Sequence, residues 1–232
     1  MTIDLQSWEN ATIQSLQGVT EFPYIETQVL LSYTLNQPRE WLIAHPDALI
    51  NENELSLLDR YVQRLILGEP LPYITGTQAF YGLDFIVNAA VLIPRPETEL
   101  LVEEAINWLH AHPDRRQVLD MGTGSGVIAI SLADQVPGIK VTAADVSPAA
   151  LEVARVNAGR MKVADRVQIV QSDLFEHITF SFDLIAANLP YIPTKTLSSL
   201  TVGRFEPYLA LDGGPDGLGV IRKFLNEAQE HL

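Results

Sequence analysis

The run Val118-Leu119-Asp120-Met121 empties into Gly122-Thr123-Gly124-Ser125-Gly126 and then into Val127-Ile128-Ala129-Ile130. An apolar strand, a glycine-rich turn and a helix in that order admit few folds. Glycine tolerates left-handed backbone and lets another group come close to the Cα, so this segment predicts a tight strand-to-helix turn. The alternation then continues: strand-like 140–145, helical 148–158, strand-like 166–171 and strand-like 182–187. Strands separated by helices require right-handed crossovers and assemble into a parallel, doubly wound α/β sheet. Ligands of such sheets lie beyond the carboxyl ends of the strands. Gly122, Asp145, Asp173 and Asn188 all fall at or just past those ends.

Upstream the periodicity is helical. Over 52–67 the apolar residues Leu55, Leu58, Val62, Leu65 and Ile66 share one face, and Asn51 with Glu54 has capping-box spacing at its start. Val29, Leu30, Leu31 and Tyr33 mark a second helix over 26–35. Short amphipathic helices need one another to bury their stripes, so 1–72 is expected to form a small helical bundle, either a packing unit or a docking module for a protein substrate. Gly68, Pro70, Pro72 and Gly76 interrupt this pattern. Over 73–96 the alternation in 80–87 and in Val91-Leu92-Ile93 predicts a β-hairpin linking the bundle to a larger domain over 97–232, which opens with a helix at 97–110.

The chemistry sits at two strand ends. At the first, free backbone N–H groups and bare Cα positions at 122–126 suit the close approach of an adenosine-type cofactor. A carboxylate at Asp145 suits two ribose hydroxyls, and Asp173 beside Leu174 suits an adenine amino group with an apolar contact. Each feature also has a plainer explanation: strand-to-helix packing for the glycines, a helix cap for Asp145 and a turn for Asp173. At the second, Asn188-Leu189-Pro190-Tyr191 ends an apolar strand with a planar amide, a rigid turn and an aromatic ring, a clamp suited to a small planar nitrogen group. The plainer explanation is an Asn-x-Pro turn. Together the two imply methyl transfer to an amide or exocyclic amino nitrogen, catalysed by alignment and charge stabilisation rather than by a metal.

Composition narrows the partners. With 15 Lys+Arg against 29 Asp+Glu, the net charge of −14 opposes binding through a phosphate backbone, which draws its free energy from protein cations. No cysteine is present, which excludes thiol nucleophiles and zinc–cysteine sites, and the histidines show no ligand spacing. The N-terminus lacks a basic and apolar leader, and no stretch reaches the length of a membrane span. A cytoplasmic protein with a protein partner, no nucleic acid and no membrane is expected.

Five stretches then carry a resemblance: Pro72-Tyr73-Ile74-Thr75-Gly76, 92–99 with Arg95-Pro96-Glu97-Thr98-Glu99, the glycine turn, the 188–191 clamp, and 206–214 ending in Asp212-Gly213-Gly214. The chain resembles the release-factor glutamine N5-methyltransferases of the HemK/PrmC type. That resemblance implies a Rossmann-like class I domain that uses S-adenosylmethionine, releases S-adenosylhomocysteine, and methylates the glutamine of the Gly-Gly-Gln loop of peptide chain release factors. It also implies that Gly122, Thr123, Gly124, Ser125, Gly126 and Asp145 hold the cofactor, with Asp173 and Leu174 at the adenine. Asn188 would touch both cofactor and acceptor, and Asn188, Leu189, Pro190 and Tyr191 would hold the glutamine. Leu189 departs from the usual motif, which has proline there, and is expected to loosen the turn. The family continues through further strands after the helix at 217–230, so an extended chain is expected to be more stable and more active. An adenine-N6 or guanine-N2 nucleic-acid methyltransferase suits the same clamp, and a non-catalytic cofactor-binding or docking module is a third possibility.

Overall fold

The computed structural model describes residues 3–232, which divide into a compact unit up to Thr75 and a second from Gly76 onward. In the first unit a two-residue antiparallel ribbon, β1 (Ile3–Asp4) with β2 (Leu49–Ile50), accompanies five helices. These are α1 (Leu5–Leu16), α2 (Pro23–Leu35), α3 (Arg39–Ala44), α4 (Glu52–Ile66) and α5 (Leu71–Thr75). The capping box forms at α4: Asn51 Oδ1 accepts from the N–H groups of Asn53 and Glu54, and Glu54 Oε2 accepts from Asn51 N–H at 2.9 Å. Leu58, Val62 and Leu65 bury with Leu5, Leu16, Leu30 and Leu31 in one apolar cluster. Three residues expected on the buried faces lie outside it: Ile66 and Tyr33 are exposed and Val29 is half-buried. Ile66 is the last residue of its helix, where the chain turns away and leaves that position to solvent.

The second unit begins with a hairpin shorter than expected, β3 (Thr77–Phe80) paired with β4 (Leu83–Ile86) around Tyr81-Gly82. Val91-Leu92-Ile93 is not one of its strands, because Asn88 and Ala90 close a turn there through Val91 N–H to Asn88 O at 3.1 Å and Ala90 N–H to Asn88 Oδ1 at 2.9 Å. The hairpin is built into this unit. Phe80 and Phe85 meet edge to face at 6.1 Å inside its core, and the fully buried Asn157 exchanges hydrogen bonds with both backbone groups of Ile86.

Next come α6 (Glu97–Ala111), β5 (Gln117–Met121), α7 (Val127–Gln135), β6 (Lys140–Asp145), α8 (Pro148–Arg160), β7 (Val167–Gln171) and β8 (Leu184–Ala187), then α9 (Thr194–Leu197) and α10 (Gly219–Ala228). The four later strands form one parallel sheet in the order β7-β6-β5-β8. Alternate residues bury on opposite faces: Val118 and Ala143 with α6 and α7, Leu119 and Ala144 with Leu174, Phe175 and α10. The chain winds outward from β5 through β6 to β7 and then returns to the other side of β5 as β8. β5 and β8 therefore flank the point where strand order reverses, the place where open α/β sheets leave a crevice. The register puts Met121 beside Ala144 and Ala187, and Asp145 beside Gln171, so all four strands end at one edge.

Candidate active site

A cavity of about 320 Å³ opens at that edge, and its wall includes Gly122, Thr123, Gly124, Ser125, Asp145, Asp173, Leu174, Asn188, Leu189 and Pro190. Ten of the twelve residues expected to bind or react thus meet around one space. Gly126 and Tyr191 are not on this wall. Gly126 is left-handed (φ 85°) and caps α7, and a Cβ there would lie 2.8 Å from Ile130 Cδ1 and 3.2 Å from Ala154 Cβ. It is a packing glycine between α7 and α8. Gly124 is the opposite case, because a Cβ there meets nothing within 4 Å on a wall of the cavity.

The turn is not a nest of free donors. The N–H groups of Gly122 and Thr123 donate to Ala144 O, that of Gly124 to Asp145 Oδ2 at 2.9 Å, and that of Gly126 to Thr123 O. With four of its five amides spent inside the protein, the turn presents mainly bare backbone surface rather than an array that would cradle phosphate. Asp145 is fixed twice, accepting also from Ser147 N–H at 2.9 Å through Oδ1. The cap of α8 is Ser147, whose Oγ accepts from Ala150 N–H, so Asp145 is released from that duty. Burial raises the Asp145 pKa, and the N–H bonds from Ser147 and Gly124 oppose the rise. Each carboxylate oxygen keeps a lone pair for a further donor.

Asp120 sits beneath the turn. It is fully buried, with Oδ2 accepting from Thr123 Oγ1 at 2.6 Å and from Ala129 N–H at 3.0 Å, while Oδ1 has no partner among the described residues. Desolvation pushes its pKa up to about 7, against the lowering by those two bonds. Beyond β7, Leu174 adopts a left-handed conformation (φ 49°) held by the buried Ser172, whose Oγ donates to Leu174 O and accepts from His177 N–H. That places Asp173 and Leu174 side by side on the wall, Asp173 facing Lys223 of α10 at 3.4 Å.

A second cavity, of about 520 Å³, lies next to the first and takes Tyr191, Ile192, Leu101 and Leu211 into its wall. Arg95, Thr98, Asn188 and Leu189 line both. Tyr191, 66 % exposed, therefore belongs to the outer space and Asn188 to the partition. Asn188 Nδ2 donates to Thr98 Oγ1 at 3.1 Å. Leu189 is buried, with Cδ2 3.2 Å from the point where a Cβ on Gly122 would stand. Its side chain packs between the 188–191 segment and the glycine turn. Behind the clamp, Ile192 exchanges backbone hydrogen bonds with Leu211 and Gly213, and a Cβ on Gly217 would collide with Tyr191 O. The 212–217 turn is thus the backing of the clamp, and only glycine permits that approach.

Four residues here went unassigned by pattern reading. Thr98, Ser172 and Asn157 are buried polar residues with side-chain bonds to the site's own elements, Asn157 Nδ2 reaching Ser125 O at 2.9 Å. Glu206 is a buried carboxylate that accepts from Ile93 N–H at 3.0 Å and from Arg95 at 2.5 Å. The one signal available for Glu206 was its place at the head of the 206–214 stretch.

Comparison with known proteins agrees with this geometry. The PrmC N-terminal domain family model matches residues 8–76, and the methyltransferase small domain model matches 97–205. A release factor glutamine methyltransferase of Koribacter versatilis is 40 % identical over 231 residues, 98 % of this chain and 81 % of that protein. Its counterpart from Geobacter sulfurreducens is 44 % identical over 211 residues, 90 % of this chain and 72 % of that protein. Among solved structures, the hMettl16 catalytic domain in complex with the MAT2A 3'UTR hairpin 6 superposes with a TM-score of 0.51 at 15 % identity, covering 79 % of this chain and 66 % of that one, a likeness of fold alone. With its class I methyltransferase sheet, two matched domain models and relatives at 40–44 % identity aligned over 90–98 % of its length, this chain belongs to the release factor glutamine methyltransferase family.

Proposed function

We propose that the chain transfers a methyl group from S-adenosylmethionine to the side-chain amide nitrogen of the glutamine in the Gly-Gly-Gln motif of peptide chain release factors. The observation that carries this is the position of Asn188 on the partition between two cavities, with Nδ2 committed to Thr98 and Oδ1 left to accept a proton-bearing nitrogen. The relatives' names supply the acceptor.

The first cavity fits the donor. S-adenosylmethionine, when bound, supplies an electrophilic methyl on a sulfonium. It carries no phosphate, and a turn with four of its five amides already spent suits such a group better than a dinucleotide. Gly124 opens the wall, Asp145 retains acceptor capacity for ribose hydroxyls, and Asp173 with Leu174 offers an acceptor and an apolar face to the adenine.

On the acceptor side, an amide nitrogen is a weak nucleophile because its lone pair is delocalised. Asn188 Oδ1 accepts one N–H of the glutamine amide and the Leu189 carbonyl the other, which orients the nitrogen and stabilises the positive charge that grows on it. Tyr191 in the outer space lies against the flat amide, and Pro190 keeps the turn rigid. The apolar surroundings exclude water that would compete for the same hydrogen bonds.

Incubation of a purified release factor with the chain and S-adenosylmethionine tests this, with peptide mass mapping of the product. One added methyl on the Gly-Gly-Gln glutamine, abolished by replacing that glutamine with alanine, is the expected result. Methyl transfer to DNA or RNA with none to the factor would point to the base-modifying alternative, for which the same clamp is suited.

A further inference from the structure

Resting on the proposed function, we infer that Arg95 anchors the α-carboxylate on the amino-acid arm of S-adenosylmethionine. The wall of the first cavity carries four charged side chains among the described residues: Asp145, Asp173, Asp212 and Arg95. The three aspartates suit the hydroxyls, the amino groups and the sulfonium of the cofactor, and they repel its one anionic group. A carboxylate that leaves water for such a space needs a cation or an array of N–H donors, since desolvation without one is costly. The glycine turn offers little of the second kind, because four of its five amides are spent inside the protein. That leaves Arg95.

Position agrees with charge. On the proposed reading the adenosine lies toward Asp145 and Asp173, and the methyl has to reach the partition at Asn188. The amino-acid arm leaves the same sulfur as the methyl, so it starts at that partition. Arg95 lines both cavities, as Asn188 does. Its guanidinium is also prepared for an anion. Nη2 donates to Glu206 Oε1 at 2.5 Å, the one side-chain hydrogen bond that Arg95 makes among the described residues. Glu206 is buried and spends Oε2 on Ile93 N–H at 3.0 Å, so the group that holds Arg95 is itself fixed. Pro94 and Pro96 restrict the backbone on either side, and Arg95 O accepts from Thr98 N–H at 3.0 Å. Nε and Nη1 keep their donors, and a guanidinium fork matches a carboxylate in shape. Every N–H of arginine donates and its charge is permanent, so the ligand atoms it faces are acceptors, whatever the pH.

The test is calorimetric affinity, with no methyl acceptor present, for S-adenosylmethionine and for decarboxylated S-adenosylmethionine, which differs from it by the carboxylate alone. The ratio of the two Kd values reads the carboxylate contact in each protein. The parent should prefer the intact cofactor roughly ten- to a hundredfold, the range of charge-assisted hydrogen bonds. Arg95→Gln combined with Glu206→Gln removes both charges together and strands no buried carboxylate; its ratio should fall close to one. Glu206→Gln alone keeps the guanidinium and should keep the preference, which separates anion binding from loss of the ion pair. An undiminished ratio in the double variant would overturn the inference and pass the carboxylate to Ser125 N–H, the remaining amide of the turn. An equal fall in Glu206→Gln would overturn it too and make the pair a structural tie between 92–96 and 206–214. If the double variant does not melt cooperatively, Arg95→Gln alone takes its place under the same criteria. A parent that binds both compounds equally would overturn this inference and leave the proposed function standing, whereas a parent that binds neither would overturn the cofactor assignment and this inference with it.

Discussion

Asp120, next to last in β5, and Asp145, the last residue of β6, lie on neighbouring strands, and their environments give them different work. Asp120 is not on the cavity wall and has one oxygen without a partner among the described residues, and burial pushes its pKa up to about 7 from the 3.8 of an ordinary aspartate. Between those two values the unfolded chain is ionised at this position and the folded chain is protonated. The unfolded state then binds fewer protons than the folded state, so this group makes stability fall as pH rises from about 4 to 7, by about 1.4 kcal/mol per unit at most. Urea unfolding of the parent and of Asp120→Asn across that window should show the parent losing stability relative to the variant, whose side chain does not titrate. Parallel pH profiles would mean that Asp120 is ionised in the fold. Asp145 is the residue to change for affinity. Asp145→Ala removes two charge-assisted acceptors on the cavity wall and should weaken S-adenosylmethionine binding by about 2–3 kcal/mol in calorimetry; unchanged affinity would displace the ribose from this carboxylate.

The glycine turn shows what an element's pattern reveals and what it hides. That 122–126 links strand to helix follows from apolar residues on both sides and glycines between, and the strand ends carry Asp145, Asp173 and Asn188 to one edge because a parallel sheet has no other way to run. Which glycine serves which purpose is invisible in the spacing. It depends on what stands across from each Cα, and the neighbours of Gly126 come from α7 and α8 whereas Gly124 faces open space. Alanine at either position pays a left-handed backbone penalty of roughly 1–2 kcal/mol. Gly126→Ala should add a collision with Ile130 and Ala154 and lower the melting temperature more than Gly124→Ala does. Gly124→Ala should weaken cofactor binding instead, because its methyl enters the cavity; the reverse ranking in paired melting and calorimetry would exchange their roles. The hairpin was harder to delimit. Val91-Leu92-Ile93 has strand-like composition, but the Asn88–Val91 turn redirects the chain and turns Leu92 into a cavity wall. Thr98 and Glu206 were out of reach for a related reason: their partners lie 90 and 111 or more positions away, and periodicity within one element carries no information about such pairings.

At the scale of the molecule, the fold separates two spaces that a methyl transfer needs to keep apart. The reversal of strand order between β5 and β8 leaves one cavity over the glycine turn and another outside the clamp, with Asn188 and its neighbours as the wall between them. The net charge of −14 complements a basic protein surface better than a nucleic acid, and among the described residues no helix is long and apolar enough to cross a membrane. On the proposed function, Asn188 acts on the acceptor while the glycine-turn cavity holds the donor. Asn188→Ala, measured side by side with the parent for S-adenosylmethionine affinity and for methyl transfer to a release factor, tests it most directly. Cofactor binding should stay close to the parent's with transfer reduced by at least about two orders of magnitude, as for loss of a group that stabilises mainly the transition state. Transfer at the parental rate, or a loss of activity matched by an equal loss of cofactor affinity, would contradict it.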